Sequence, residues 1–254
     1  MVLSVKGGID IASLVPRGSP DDVRRSVDNV LRILAGTKTP DIFECARVDR
    51  NVPIEETVRA LAEYVKDGKI GGIGLCEASV TTIRRAHAVH PIAAVEVEYS
   101  LWSTEIRTNE VAGVCAELGI PIVAYSPLGR GFLTGDIRSP EDIPELDIRR
   151  RLDRFQPGNF EKNLVLVDKV RPIAERNGCT LAQLALEWVR AQSGKGGMPV
   201  LLPIPGSTTP GRVEENCKEV GISEEDMGEI EDILRDSQVV GGRYFKKVES
   251  LLFV

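Results

Sequence analysis

Three consecutive hydroxyl residues, Ser207, Thr208 and Thr209, lie between an apolar run and a proline-initiated helical segment carrying Arg212, Glu215 and Asn216. The whole stretch, Leu201 to Asn216, reads LLPIPGSTTPGRVEEN. A strand that leads through hydroxyls into a helix start offers an anion free backbone N–H groups and the positive end of the helix dipole. One turn further in, a guanidinium can add a fork of donors. Hydroxyls at a helix start are also ordinary N-caps, so the residues alone support either a phosphate site or plain capping. A second pattern, His87 and His90 spaced H-x-x-H, has no neighbouring carboxylate or thiol to complete a metal site and reads as a solvent-facing helix pair.

The elements that must position these residues alternate between strand-like and helix-like. Val2 to Val5 reads as a strand, and Pro20 to Leu34 as a helix capped by Ser19, with Val23, Val27, Val30, Leu31 and Leu34 on one face. Strands follow at Asp41–Cys45, Ile70–Leu75, Ala93–Val97 and Pro121–Tyr125, and helices at Pro53–Lys66, Val80–Val89 and Glu105–Leu118. From Ser126 to about Phe160 the rhythm gives way to a loop rich in Gly, Pro and Arg, long enough to be a lid or binding loop. Helices Lys162–Glu175 and Thr180–Gln192, a strand at Val200, and helices Pro210–Val220 and Ser223–Arg235 complete the pass. The pattern predicts a single α/β domain over 1–254, either a doubly wound sheet or part of an eight-unit barrel. No G-x-G-x-x-G follows the first strand, which weakens the doubly wound reading.

Composition bounds the partners. A chain of 254 residues with 42% hydrophobic content can bury a large core. Its net charge of −6 argues against nucleic-acid or acidic-membrane binding and points to a small molecule. Five scattered cysteines without a C-x-x-C pair suit a reducing compartment, and no apolar run is long enough to span a bilayer, so a cytosolic address is expected.

Six ordered segments carry a resemblance: VLSVKGG near the start, DIFECARVDRNVPIEET from Asp41, KIGGIGLCEAS from Lys69, AVEVEYS from Ala94, PIVAYSPLGRG from Pro121, and IPGSTTPGRVEEN from Ile204. Together they resemble the aldo-keto reductases, NADPH-dependent (β/α)8 TIM-barrel enzymes, and among them the pyridoxal reductase-like branch. The resemblance implies that Tyr125 stacks on the nicotinamide and that Ser126, Leu128 and Arg130 belong to a pyrophosphate loop. It places the 2′-phosphate and adenine contacts on Ser207, Thr208, Arg212, Glu215 and Asn216, with Arg212 selecting NADPH over NADH. Cys76, Glu77 and Glu96 stand where the family grips the carboxamide with a serine and amide side chains. A carboxylate there accepts from the carboxamide NH₂ but cannot donate to its oxygen. Glu96 reads equally well as an interior carboxylate paired with a lysine. The arginines Arg149, Arg150, Arg151 and Arg154 read as mostly solvated, with some reach toward the pyrophosphate.

Of the family's catalytic set, only the lysine has a counterpart, Lys6. The acid tyrosine and its supporting aspartate belong to a segment before that lysine, and Ala46 stands where a histidine is common. The expectation is therefore an incomplete barrel lacking its first two βα units, with open apolar edges near Val2 and Val200. The implied function is NADPH-dependent reduction of small aldehydes or ketones, pyridoxal foremost, with turnover by this chain in doubt. The alternative is a non-catalytic NADPH-binding or regulatory barrel.

Overall fold

A computed structural model describes residues 1–254. In chain order the elements are β1 (Ser4–Gly7), a hairpin of β2 (Ile9–Asp10) and β3 (Val15–Pro16), α1 (Pro20–Leu34), β4 (Ile42–Cys45), α2 (Ile54–Lys66), β5 (Ile73–Cys76) and α3 (Val80–Val89). They continue with β6 (Ile92–Glu98), α4 (Val111–Glu117), β7 (Ile122–Tyr125), α5 (Asn159–Arg176), α6 (Leu181–Ala191), β8 (Leu201–Ile204), α7 (Pro210–Cys217), α8 (Glu224–Asp236) and α9 (Lys246–Glu249).

Helix starts follow local chemistry. Ser19 caps α1 by accepting from the Asp22 backbone N–H, Pro20 supplies the fixed φ of a first helical residue, and Asp21 and Asp22 answer the dipole. Ser79 caps α3 in the same way through Thr82, and Thr180 and Gln183 form a reciprocal capping box on α6. One expected helix is broken. Residues Glu105–Arg107 form a 3₁₀ turn and α4 begins only at Val111, because the Asn109 side chain accepts the Val111 N–H and Glu110 takes a left-handed φ of 64°.

Six strands pair in parallel in the order β1-β4-β5-β6-β7-β8. Each strand lies beside the next one in sequence order, apart from the small β2–β3 hairpin, and this single direction of winding is that of a barrel rather than a doubly wound sheet. The sheet ends at β1 and β8, and no pairing joins the two. Leu202 and Ile204 of β8 are exposed, as are Val200 before it and Val2 before β1. The first strand is shifted from its expected place: it is Ser4–Gly7 rather than Val2–Val5, so Lys6 lies within the ladder, opposite Glu44.

The two faces of the sheet differ in kind. Phe43, Ile73, Val95 and Ile122 point outward and pack against Val58, Leu61, Ile83 and Val114 of the surrounding helices, in one cluster of 49 buried residues. The inward face carries Lys6, Glu44, Gly74, Cys76, Glu96 and Tyr125 at alternate positions. Gly74 is required there: a Cβ would meet the Glu44 Cβ at 3.0 Å and its Oε2 at 3.1 Å.

Candidate active site

The inward face places a lysine among carboxylates. Lys6 Nζ lies 2.9 Å from Glu44 Oε1, off the line of a good hydrogen bond, and pairs more directly with Glu96 Oε2. Burial opposes the Lys6 charge, but Glu44 and Glu96 outweigh it and hold its pKa above the ordinary lysine value. Burial also pushes Glu44 up to about 8, aided by the Glu96 carboxylate beside it and opposed by Lys6. Unfolded, Glu44 titrates near 4.5. Between those values the folded chain keeps a proton that the unfolded chain has released, so raising the pH favours unfolding. Stability is expected to fall by a few kcal/mol from about pH 5 to pH 8, and Glu44→Gln is expected to flatten that slope. Urea melts at several pH values measure both; an unchanged slope in the variant would show that Glu44 is not the group responsible.

All four tyrosine hydroxyls are engaged away from Lys6: Tyr64 on Asp28, Tyr99 on Gln192, and Tyr125 and Tyr244 with one another. Cys76 turns its buried thiol to Arg47, whose Nη1 is 3.1 Å from the sulfur, and burial raises its pKa despite that guanidinium.

Beside this group, Glu77 leaves β5 with a φ of 51°, unusual for a residue bearing a Cβ. Its side chain is fully buried and takes four donors. Oε1 accepts from the Tyr125 hydroxyl at 2.6 Å, the Glu98 N–H at 3.1 Å and Arg243 Nη1 at 3.1 Å, while Oε2 accepts from Arg243 Nη2 at 2.9 Å. Ser126 and Arg130, after β7, also have positive φ, 49° and 58°. Such conformations cost on the order of 1–3 kcal/mol each, and Ser126 and Arg130 both line one cleft.

A second group begins at Arg130. Its guanidinium pairs with the buried Glu98 at 3.0 Å, and its backbone carbonyl accepts from Arg149. From here a cleft of about 990 Å³ runs to α7, with Ser126, Leu128 and Arg130 on one wall and Arg212, Glu215 and Asn216 on the other. Asn216 is buried and donates to the Ser207 hydroxyl at 2.9 Å. Glu215 accepts from Thr180 at 2.7 Å. Thr209 is the N-cap of α7, so one hydroxyl of the triplet is committed to capping; Thr208 is exposed and does not line the cleft. Ser207 does not line the cleft either, whereas Arg212 does.

Glu96 pairs with Lys6, as one of its two readings has it. Other readings change. Arg154 is no solvated arginine: it is buried and donates to Trp102 O at 2.6 Å and Ser103 Oγ at 2.8 Å. His87 and His90 are half-buried at the end of α3, where His87 Nδ1 accepts from the Ile92 N–H. The sequence reading did not single out Arg47, Glu98, Arg243 or Tyr244 as parts of the site. Glu98 could have been found, since it alternates with Glu96 in one strand.

Against that geometry stand the comparisons. A model of the aldo/keto reductase family matches residues 1–235. The chain belongs to the aldo/keto reductase family. A relative described as probable pyridoxal reductase 2, from Schizosaccharomyces pombe, is 43% identical over 99% of this chain and 76% of its own length. A second S. pombe protein, named as an NADP(+) aldo-keto reductase, is 42% identical over 92% of this chain and 68% of its own length. The glycerol dehydrogenase of Gluconobacter oxydans superposes with a TM-score of 0.80 at 25% identity, covering 95% of this chain and 74% of that one. This aldo/keto reductase is thus of the (β/α)8 type, with six barrel-type strands paired here, and belongs among oxidoreductases that act on carbonyls. No helix is long and apolar enough to cross a membrane.

Proposed function

We propose that this aldo/keto reductase binds NADPH and serves the reduction of small aldehydes of the pyridoxal type. The observation that carries the reading is the continuous cleft between the Ser126–Arg130 loop and the start of α7. Its arginines and its buried, hydrogen-bonded Asn216 suit the phosphate-bearing half of a dinucleotide. Arg212 would answer the 2′-phosphate, Glu215 and Asn216 the adenosine, and Ser126 and Arg130 the pyrophosphate. The ring end would come to Tyr125 and Glu77. When bound, the cofactor supplies the hydride. Of this chain's own groups, Lys6 would hold a positive charge at the carbonyl-facing end, with Glu96 beside it as its ion-pair partner.

Arg212→Ala is expected to weaken NADPH binding about tenfold while leaving NADH binding unchanged, because only NADPH carries the dianion. Calorimetric titration with both cofactors measures this; an equal loss for both would remove Arg212 from the 2′-phosphate.

The second reading, NADPH binding without turnover, is favoured by one feature: no tyrosine hydroxyl reaches Lys6 to serve as an acid. Oxidation of NADPH with pyridoxal, compared with a Lys6→Met control, separates the two.

A further inference from the structure

We propose that the segment from Gly242 to Val254 is an internal competitor, packed against Glu77 and Tyr125 beyond the Ser126–Arg130 end of the cleft and leaving them when NADPH binds. The proposal rests on the reading that Glu77 and Tyr125 receive the nicotinamide end.

The argument is one of hydrogen-bond capacity. A carboxylate offers roughly four lone-pair positions. At Glu77 these are filled unevenly: Oε1 takes the Tyr125 hydroxyl, the Glu98 N–H and Arg243 Nη1, while Oε2 takes only Arg243 Nη2. A carboxamide NH₂ finds no free position on Oε1, the oxygen bonded to Tyr125, until one of its three donors withdraws. Tyr125 and Glu98 are held in β7 and β6 by the parallel ladder. Arg243 is not in any strand or helix and is carried by a segment outside the sheet. It is the donor able to leave.

The next residue fills space as well as valence. The Tyr244 ring lies 4.3 Å from the Arg130 guanidinium and 5.8 Å from that of Arg47, and its hydroxyl is 3.2 Å from that of Tyr125. A planar aromatic group with cations around it therefore already stands beside the tyrosine proposed to stack on the nicotinamide. Farther on, Val254 is fastened by two backbone hydrogen bonds, to Glu77 O and from the Ser79 N–H. Withdrawal leaves Arg130 with Glu98 but leaves Glu77 only uncharged donors, the Tyr125 hydroxyl and the Glu98 N–H, so the tail leaves only when contacts made by the bound cofactor offset the lost ion pair. The adenosine end at Arg212, Glu215 and Asn216 lies in the cleft that the tail does not line. The two halves of the cofactor should thus couple differently to the tail.

Trypsin reads the tail directly in the unaltered chain, because Lys246 and Lys247 are exposed within it. Saturating NADPH is expected to speed cleavage at these lysines about fivefold, while 2′,5′-ADP, which lacks the nicotinamide half, is expected to leave it unchanged. Tyr244→Ala retains the Arg243–Glu77 pair. This variant is expected to tighten NADPH about tenfold, as lifting a competing state does, with 2′,5′-ADP affinity constant. Cleavage unchanged or slowed by bound NADPH overturns the competitor. A Tyr244→Ala chain whose affinity for both probes shifts together overturns it too. If neither probe binds the unaltered chain, the cofactor reading itself fails and takes the competitor with it.

Discussion

Arg243→Ala is expected to cost the folded chain about 3–5 kcal/mol, a third or more of the stability of an ordinary domain. The reason is what it leaves behind. Glu77 is fully buried and Arg243 is 3% exposed, so removal of the guanidinium strands a carboxylate away from both water and cation. The Tyr125 hydroxyl and the Glu98 N–H remain as donors, but neither carries charge. Adding Glu77→Gln to Arg243→Ala is expected to recover part of the loss, since a buried amide is cheaper to keep than a buried carboxylate. Denaturant midpoints of the two single variants and the double variant give the coupling. A cost below about 1 kcal/mol for Arg243→Ala would mean that Glu77 has another cation or open access to water.

Phe132→Ala is expected to cost a similar amount, about 3–5 kcal/mol, and to loosen the long loop after β7. Phe132 is wholly buried, stacked on Trp102 with ring centroids 4.1 Å apart and planes 8° from parallel. Its edge contacts with Phe155 and Phe160, at 5.7 and 5.1 Å, tie the far end of the loop to the same cluster. Gly129 lets the chain approach: its φ is 55°, and a Cβ there would stand 2.9 Å from the Trp102 ring. With the anchor gone, proteolysis around Arg149–Arg151 should rise well before global unfolding. Unchanged cleavage there, despite a lower denaturation midpoint, would mean the loop is held by Arg149 and Arg154 instead.

Where local rules decide, the sequence was readable. Helices α1 and α3 have the bounds their caps and apolar spacing predict, because Ser19, Pro20 and Ser79 each act on their own first turn. Of the residues that the family resemblance points to, Tyr125 and Glu77 meet in a hydrogen bond, and Arg130, Arg212 and Asn216 line one cleft although they come from segments far apart. What was not readable is what arises between distant segments. Arg243 lies 166 residues from Glu77, and GGRYF carries no periodicity to betray a partner. The break before α4 was missed because the apolar spacing of Glu105–Leu118 fits a helix; a single Asn109 side chain overrides it. The hydroxyl triplet reads as one group by residue type, but in the fold Thr209 caps α7, Ser207 accepts from Asn216, and none of the three lines the cleft.

The order of the strands also bears on how the chain assembles. Every neighbouring pair in the six-stranded sheet except the last is joined by fewer than half the residues that separate Tyr125 from Leu201. Loop closure grows dearer by about 0.6 kcal/mol for each doubling of length, so β8 meets β7 at the greatest entropic cost in the sheet. The aromatic cluster shortens that path by gathering the loop onto Trp102 first. Loop closure thus favours folding from the compact run β1–β7 toward β8 and α7, and the cleft, whose wall includes Arg212, is complete only when that last strand is in place.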